Sequence, residues 1–240
     1  MSVYSDAVLA DSPLLYWRLG EASGTTADDA TANNRDGTYV GSPTLAASGA
    51  LVDGGDSDTA ITLSGTGQWI TSTYALTQGS SYTFECWAKR TDQAAQHTLY
   101  ATDGSGAPML ARMTAGDQLD FHSQAGSNVS WASSGIGTGT WKHVVVRFDN
   151  AGDLASLFVN GAQVGTAQSL SADFQATPGN FLMGAWSDLH FEPWKGGLDE
   201  VAVYPGALSD ARILAHYQAE FITGSTYTMN TVTRSGRVLT

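Results

Sequence analysis

Tyr82-Thr83-Phe84-Glu85-Cys86-Trp87-Ala88-Lys89 decides how the rest of this chain is read. Side chains of an extended strand alternate between its faces. Tyr82, Phe84, Cys86 and Ala88 therefore share one face, and Thr83, Glu85, Trp87 and Lys89 the other. Eight residues of period two describe a strand whose faces meet unlike surroundings. Further short runs of Thr, Tyr, Trp, Val and Leu flank it at 14–19, 59–63, 68–71, 98–102, 109–113, 118–122, 141–149, 154–159, 181–186 and 200–204. Between Leu157-Phe158-Val159 and Gln163-Val164 stands Asn160-Gly161, a pair that tolerates the positive φ of a type I′ hairpin turn. Only at 208–217 does the period change: Ser209 is placed as a helix cap, Asp210 follows in the first turn, and Ile213, Leu214 and Tyr217 form an apolar stripe.

The composition agrees with β structure. Among 240 residues there are 27 Gly and only 14% charged residues, and 18 of the 23 acids are Asp, which favours turns over helix interiors. One β domain reaches about 200–250 residues and needs no disulfide staples at that size. The single Cys86, on the same face as Phe84, reads as an inert core thiol. A net charge of −12 argues against a nucleic-acid partner. No apolar run approaches the roughly 18 residues of a membrane helix, so membrane insertion is not expected. The expected fold class is all-β: a two-sheet antiparallel jelly-roll sandwich over 1–221 with one short C-terminal helix. An extended C-terminal arm follows over 222–240. That arm holds six Thr, no acid, and Arg234 and Arg237. Tyr227, Arg234 and Arg237 are expected to meet a neighbouring chain through strand addition, whether another copy or a different protein.

Three stretches resemble the laminin-G-like, concanavalin-A-like jelly-roll superfamily, in its bacterial and phage branch. Pro13-Leu14-Leu15-Tyr16-Trp17-Arg18-Leu19-Gly20-Glu21 is similar to that branch's opening P-x-x-Y-W-x-L-x-E strand. The segment from Asp29 to Tyr39 resembles its D-x-S-G-N-x-x-x-G-T-Y turn, with Thr31 and Ala32 in place of Ser-Gly. Gly196-Gly197-Leu198-Asp199-Glu200-Val201-Ala202-Val203-Tyr204, with the helix after it, resembles the closing G-x-I-D-E-V-x-V-Y strand. Trp141-Lys142-His143-Val144 and Leu157-Phe158-Val159-Asn160-Gly161 match a further pair. The resemblance runs in family order from about Tyr4 to Phe221. It implies the fold and leaves the function open, because the fold hosts lectins, glycosidases and structural modules.

Many relatives carry one structural calcium, which takes about six to eight oxygen ligands. The resemblance brings Asp29 and Asn33 towards Asp199, so these three are the expected ligands of one Ca²⁺. Carbohydrate binding needs aromatic faces beside polar side chains. Two clusters qualify: Glu85 and Trp87 with His122 and Trp131 on neighbouring strands, and the loop residues Trp186, Asp188, His190 and Trp194. Hydrolysis needs two carboxyls about 5–10 Å apart, and the compact E-x-D-x-x-E strand of β-glucan hydrolases is missing, so an enzyme is not expected. Met1–Asp6 has neither the basic patch nor the apolar stretch of a signal peptide. The expectation is a phage virion protein made in the bacterial cytoplasm, a minor tail or capsid-decorating subunit. It would contact other virion proteins or copies of itself and display a lectin-like domain to host-surface glycans. A free lectin module is the alternative, and a glycoside hydrolase or lyase the second.

Overall fold

The computed structural model describes residues 2–52, 55–77, 79–102, 109–124, 127–170, 179–186 and 191–222. Helix α1 (Val3–Ala10) is followed by β1 (Leu15–Trp17), β2 (Thr26–Ala27), β3 (Gly37–Val40), β4 (Thr44–Ser48), β5 (Thr59–Ser64) and β6 (Trp69–Ala75). Next come β7 (Tyr82–Arg90), β8 (His97–Thr102), β9 (Leu110–Met113), β10 (Leu119–Gln124), β11 (Ser127–Trp131) and β12 (Lys142–Asp149). The chain closes with β13 (Leu154–Val159), β14 (Ala162–Gln163), β15 (Gln168–Ser169), β16 (Asn180–Met183), β17 (Lys195–Tyr204) and α2 (Asp210–Ala219).

The strands form two antiparallel sheets, as the sequence predicts. One runs β14-β13-β12-β7-β17-β5-β4, with β1 also on β17 and β15 on β13. The other runs β11-β10-β9-β8-β16-β6-β3-β2. Phe84, Cys86, Val144, Val146, Leu157, Leu198 and Val203 of the first sheet face Ile70, Tyr100, Phe121, Trp131, Phe181 and Met183 of the second. Between the layers the Phe84 and Tyr100 rings sit 3.9 Å apart, centroid to centroid. The expected hairpin is present: Asn160 and Gly161 have φ of 52° and 74°. Ser209 caps α2 by accepting from the Arg212 amide.

Helix α1 is an addition to the sequence reading. Its eight residues are too few to show a period, and its signal is the reciprocal cap in which the Ser5 amide donates to Ser2 Oγ and the Ser2 amide to Ser5 Oγ. Together with α2 it covers the outer face of the first sheet, so that face is buried as well. Tyr4, Val8, Tyr16, Trp87, Ala202 and Tyr204 pack there as a second apolar cluster. The C-terminal arm expected from 222 onward lies outside the described residues beyond Ile222, and with it Tyr227, Arg234 and Arg237. Among the described residues no helix is long and apolar enough to cross a membrane.

Glu85 lies fully buried at the centre of this second cluster. It accepts from Tyr4 Oη at 2.8 Å, Tyr204 Oη at 2.9 Å, His143 Nε2 at 2.8 Å and His216 Nδ1 at 2.9 Å. The other His216 nitrogen, Nε2, reaches Asp11 Oδ2 at 2.9 Å. With a carboxylate at each ring nitrogen, His216 donates from both and is an imidazolium. Burial opposes the Glu85 charge, but His216 and His143 outweigh it and hold the carboxyl well below its usual range. Burial likewise opposes the His216 charge, and Glu85 with Asp11 raises it above the usual imidazole value. Nearby, burial pushes the Glu200 carboxyl up to about 7 against the opposing pull of Arg18.

Removing one member of a buried charge network leaves the rest uncompensated, so Glu85→Ala should cost about 3–5 kcal/mol in urea unfolding. The raised His216 stabilises the fold fully below about pH 6.5 and loses that contribution as pH climbs through its folded value. The raised Glu200 acts in the same direction, whereas the lowered Glu85 is lost only on acidification. The thermal midpoint should therefore fall between about pH 6 and pH 8, and His216→Gln should make that fall shallower.

Candidate functional site

Where α2 leaves the first sheet, a cleft of about 420 Å³ opens among Trp87, Lys89, Trp141, Asn160, Tyr217 and Phe221, with Gly49 and Glu220 at its margins. Strand alternation puts Trp87 and Lys89 on the outer face of β7. Trp87 forms the floor, 2% exposed, stacked on Tyr217 at 6.1 Å and tilted on His143 at 5.4 Å. Its indole Nε1 finds no acceptor among the described residues. Across the ladder from Trp87 stands Asp199. Its Oδ2 accepts from the Ala50 amide at 2.8 Å, while its buried Oδ1 has no partner among the described residues. Burial and the adjacent Glu200 push the Asp199 carboxyl well above its ordinary value.

Trp141 precedes β12 and reaches over β17 at Gly197. A Cβ on Gly197 would come within 2.5 Å of the Trp141 ring, so glycine there is what lets the indole lie against the sheet. Lys89 Nζ sits 5.0 Å from the centre of that ring, a cation–π contact. Opposite them, α2 crosses the Asn160-Gly161 turn and presents Tyr217. Phe221, 57% exposed, meets Tyr217 edge-on at 5.2 Å. Burial and Glu220 push the Tyr217 hydroxyl up. The cleft thus has aromatic walls and floor, with an ammonium, an amide and a carboxylate around them. That chemistry suits a small amphipathic ring with an apolar face and hydrogen-bonding edges.

The structure redistributes the residues expected to form sites. Trp87 lines the cleft, but Glu85 lies beneath it, consumed by four donors, and cannot meet a ligand. His122 and Trp131 belong to the other sheet. Trp131 points into the inter-sheet core, whereas His122, one residue out of phase with Phe121, faces the opposite side. These four residues do not converge. Of the loop cluster, Trp194 is fully buried in the core and Trp186 is half-buried against Phe191 at 5.6 Å. Asp188 and His190 lie outside the described residues.

The three expected calcium ligands do not fit one ion. Asp29 Oδ1 accepts from the Tyr16 and Thr31 amides, and Oδ2 from Thr31 Oγ1 and the Arg35 amide. This carboxylate organises its own turn. Asn33 Nδ2 donates to the Pro13 and Leu14 carbonyls, and Asp199 is held at Ala50. Among the described residues no group of three or more His, Cys, Asp or Glu is arranged to hold a metal. Sequence reasoning missed Trp141, Tyr217 and Phe221 as cleft residues. The available signal was Tyr217 and Phe221 four apart at the end of a helix, with Gly197 opposite a tryptophan.

Two antiparallel layers, closed by a late helix beside an aromatic cleft, define a jelly roll of the lectin type. The chain belongs to the Concanavalin A-like lectin/glucanases superfamily, whose family model matches residues 63–214. No curated protein matches the chain in sequence. Among solved structures it is similar to the botulinum neurotoxin serotype D binding domain, at 13% identity over 87% of this chain and 52% of that one, TM-score 0.61. Trypanosoma rangeli sialidase in complex with sialic acid matches at 13% identity over 88% of this chain and 33% of that one, TM-score 0.64. A Ruminococcus gnavus sialidase module, CBM40 bound to alpha2,3 sialyllactose, matches at 16% identity over 57% and 82%, TM-score 0.50. These likenesses are of fold, and the chain spans about half of the toxin domain and a third of the trypanosomal sialidase.

Gly197→Ala should lift Trp141 off the sheet. The expected readout is increased acrylamide quenching of tryptophan fluorescence, absent when the same change is made in a Trp141→Phe background.

Proposed function

We propose that this chain is a non-enzymatic carbohydrate-binding module that takes a sugar ring into the cleft against Trp141 and Tyr217. The observation that carries the reading is a concave site walled by Trp141, Tyr217 and Phe221, with polar groups of Lys89, Asn160 and Glu220 around it. Sugar C–H faces stack on such rings, and the hydroxyls need the polar rim. The Ruminococcus gnavus CBM40, similar in fold, is bound to alpha2,3 sialyllactose, which supports the same reading. Glycoside hydrolysis calls for two carboxyls flanking the bond. Among the cleft residues Glu220 is the one carboxylate, and Glu85 is sealed beneath the helices. For the setting we propose a phage particle, a minor tail or capsid-decorating subunit made in the bacterial cytoplasm. That part rests on the resemblance of the opening and closing motifs and on the basic segment 222–240.

Glycan-array screening of the full chain, followed by calorimetry, tests the binding. Trp141→Ala should weaken the bound glycan about tenfold with the fold intact, the loss of one stacking contact. Absence of binding across the array, or new reducing ends released from a polysaccharide, would overturn the reading. Deleting 222–240 should abolish incorporation into particles while leaving glycan binding unchanged.

A further inference from the structure

We infer that the cleft selects sugars carrying a carboxylate, with Lys89 as the residue that reads the charge; this rests on the carbohydrate reading above. The chain has 23 acids for 11 Lys and Arg, and five of the nine described cations stand in contact with a carboxylate. Arg18 contacts Asp56, Asp58 and Glu200, all within 2.9 Å. Arg112 contacts Glu192 at 3.0 Å, Arg147 contacts Asp210 at 2.6 Å, Lys195 contacts Asp92 at 2.9 Å and Arg212 contacts Asp11 at 2.7 Å.

Lys89 differs. It stands in the wall of the cleft, its ammonium over the Trp141 ring, with no carboxylate within 4.0 Å among the described residues. Trp141 in turn is fixed by its bed on Gly197. Among the described residues, the acids beside the cleft are Glu220 and Asp199. Glu220 is 8% exposed and has a partner within the protein, and Asp199 holds the Ala50 amide through Oδ2. A ring stacked on Trp141 therefore lies beside an ammonium that no carboxylate of the described residues pairs. A carboxylate on that ring completes the pair as a charge-assisted hydrogen bond, shielded on one side by the indole. Neutral sugars stack equally well and leave the ammonium to water.

The acid can come from a uronic or a sialic acid, and equilibrium titration of the full chain separates these. Four ligands are compared: oligosaccharides ending in glucuronic acid and in sialic acid, and each with its carboxyl reduced to the alcohol. At least one acid should bind about tenfold or more tightly than its alcohol, the effect of a hydrogen bond to a charged group. Lys89→Gln should erase that ratio, Lys89→Arg should retain it, and added salt should weaken the acid more than the alcohol. Unfolding midpoints of the two variants check that the fold is intact. Equal binding of acid and alcohol, with both weakened by Trp141→Ala, would overturn the inference and leave the carbohydrate reading standing. A ratio untouched by Lys89→Gln would also overturn it. No binding of any of the four would overturn the inference, and the glycan array then decides the carbohydrate reading.

Discussion

A carboxylate with no solvent at all, Glu85, is the constraint on which the outer half of this molecule is built. Two tyrosine hydroxyls and two imidazoles converge on it from α1, β12, β17 and α2. Such a charge is tolerated in the interior only when its lone pairs are filled and a counter-charge stands close. His216 supplies that counter-charge, and Asp11 on its far nitrogen keeps the imidazole charged. Neither helix could leave without exposing a buried ion. The first sheet therefore has an apolar face turned to its partner sheet and a second, polar-centred face turned to two helices.

The cleft is a by-product of that arrangement. His216 fixes the rotation of α2, and the next residue, Tyr217, is thereby set over Trp87 and across from Trp141. Gly161 allows the helix to approach the hairpin tip, where a Cβ would stand 3.0 Å from Tyr217. Gly197 allows Trp141 to lie flat on β17. Two glycines and one buried carboxylate thus place three aromatic rings around a common space, while Lys89 enters by simple alternation along β7.

How much of this was legible in the sequence depended on whether the controlling forces were local. Strands β7, β12 and β13 announce themselves by alternation, and Asn160-Gly161 by its turn chemistry. Strands β2, β14 and β15, of two residues each, carry no pattern of their own and exist because neighbours pair with them. Alternation put Glu85 and Trp87 on the correct face, but no local signal says whether a mixed face meets water or a helix. The same blindness applied to Trp194. In sequence it sits among aromatic and polar residues like a binding loop, yet its amide bonds the Gly184 carbonyl and its ring fills the core. Asp29 stood where the resemblance implied a calcium ligand, and the turn's own backbone claims its oxygens. The cleft draws on residues 87, 89, 141, 217 and 221, too far apart for any motif to collect.

On the proposed reading, ligands are held on the helix-covered side of the first sheet rather than on the outer face of the second. Amide chemical-shift mapping of the full chain, titrated to saturation with a glycan it binds, addresses this directly. The largest shifts are expected at Lys89, Gly139–Trp141, Asn160 and Tyr217–Phe221. Shifts confined to Arg112, Asp120 and His122 on the second sheet and to Trp186 beside it would contradict this placement.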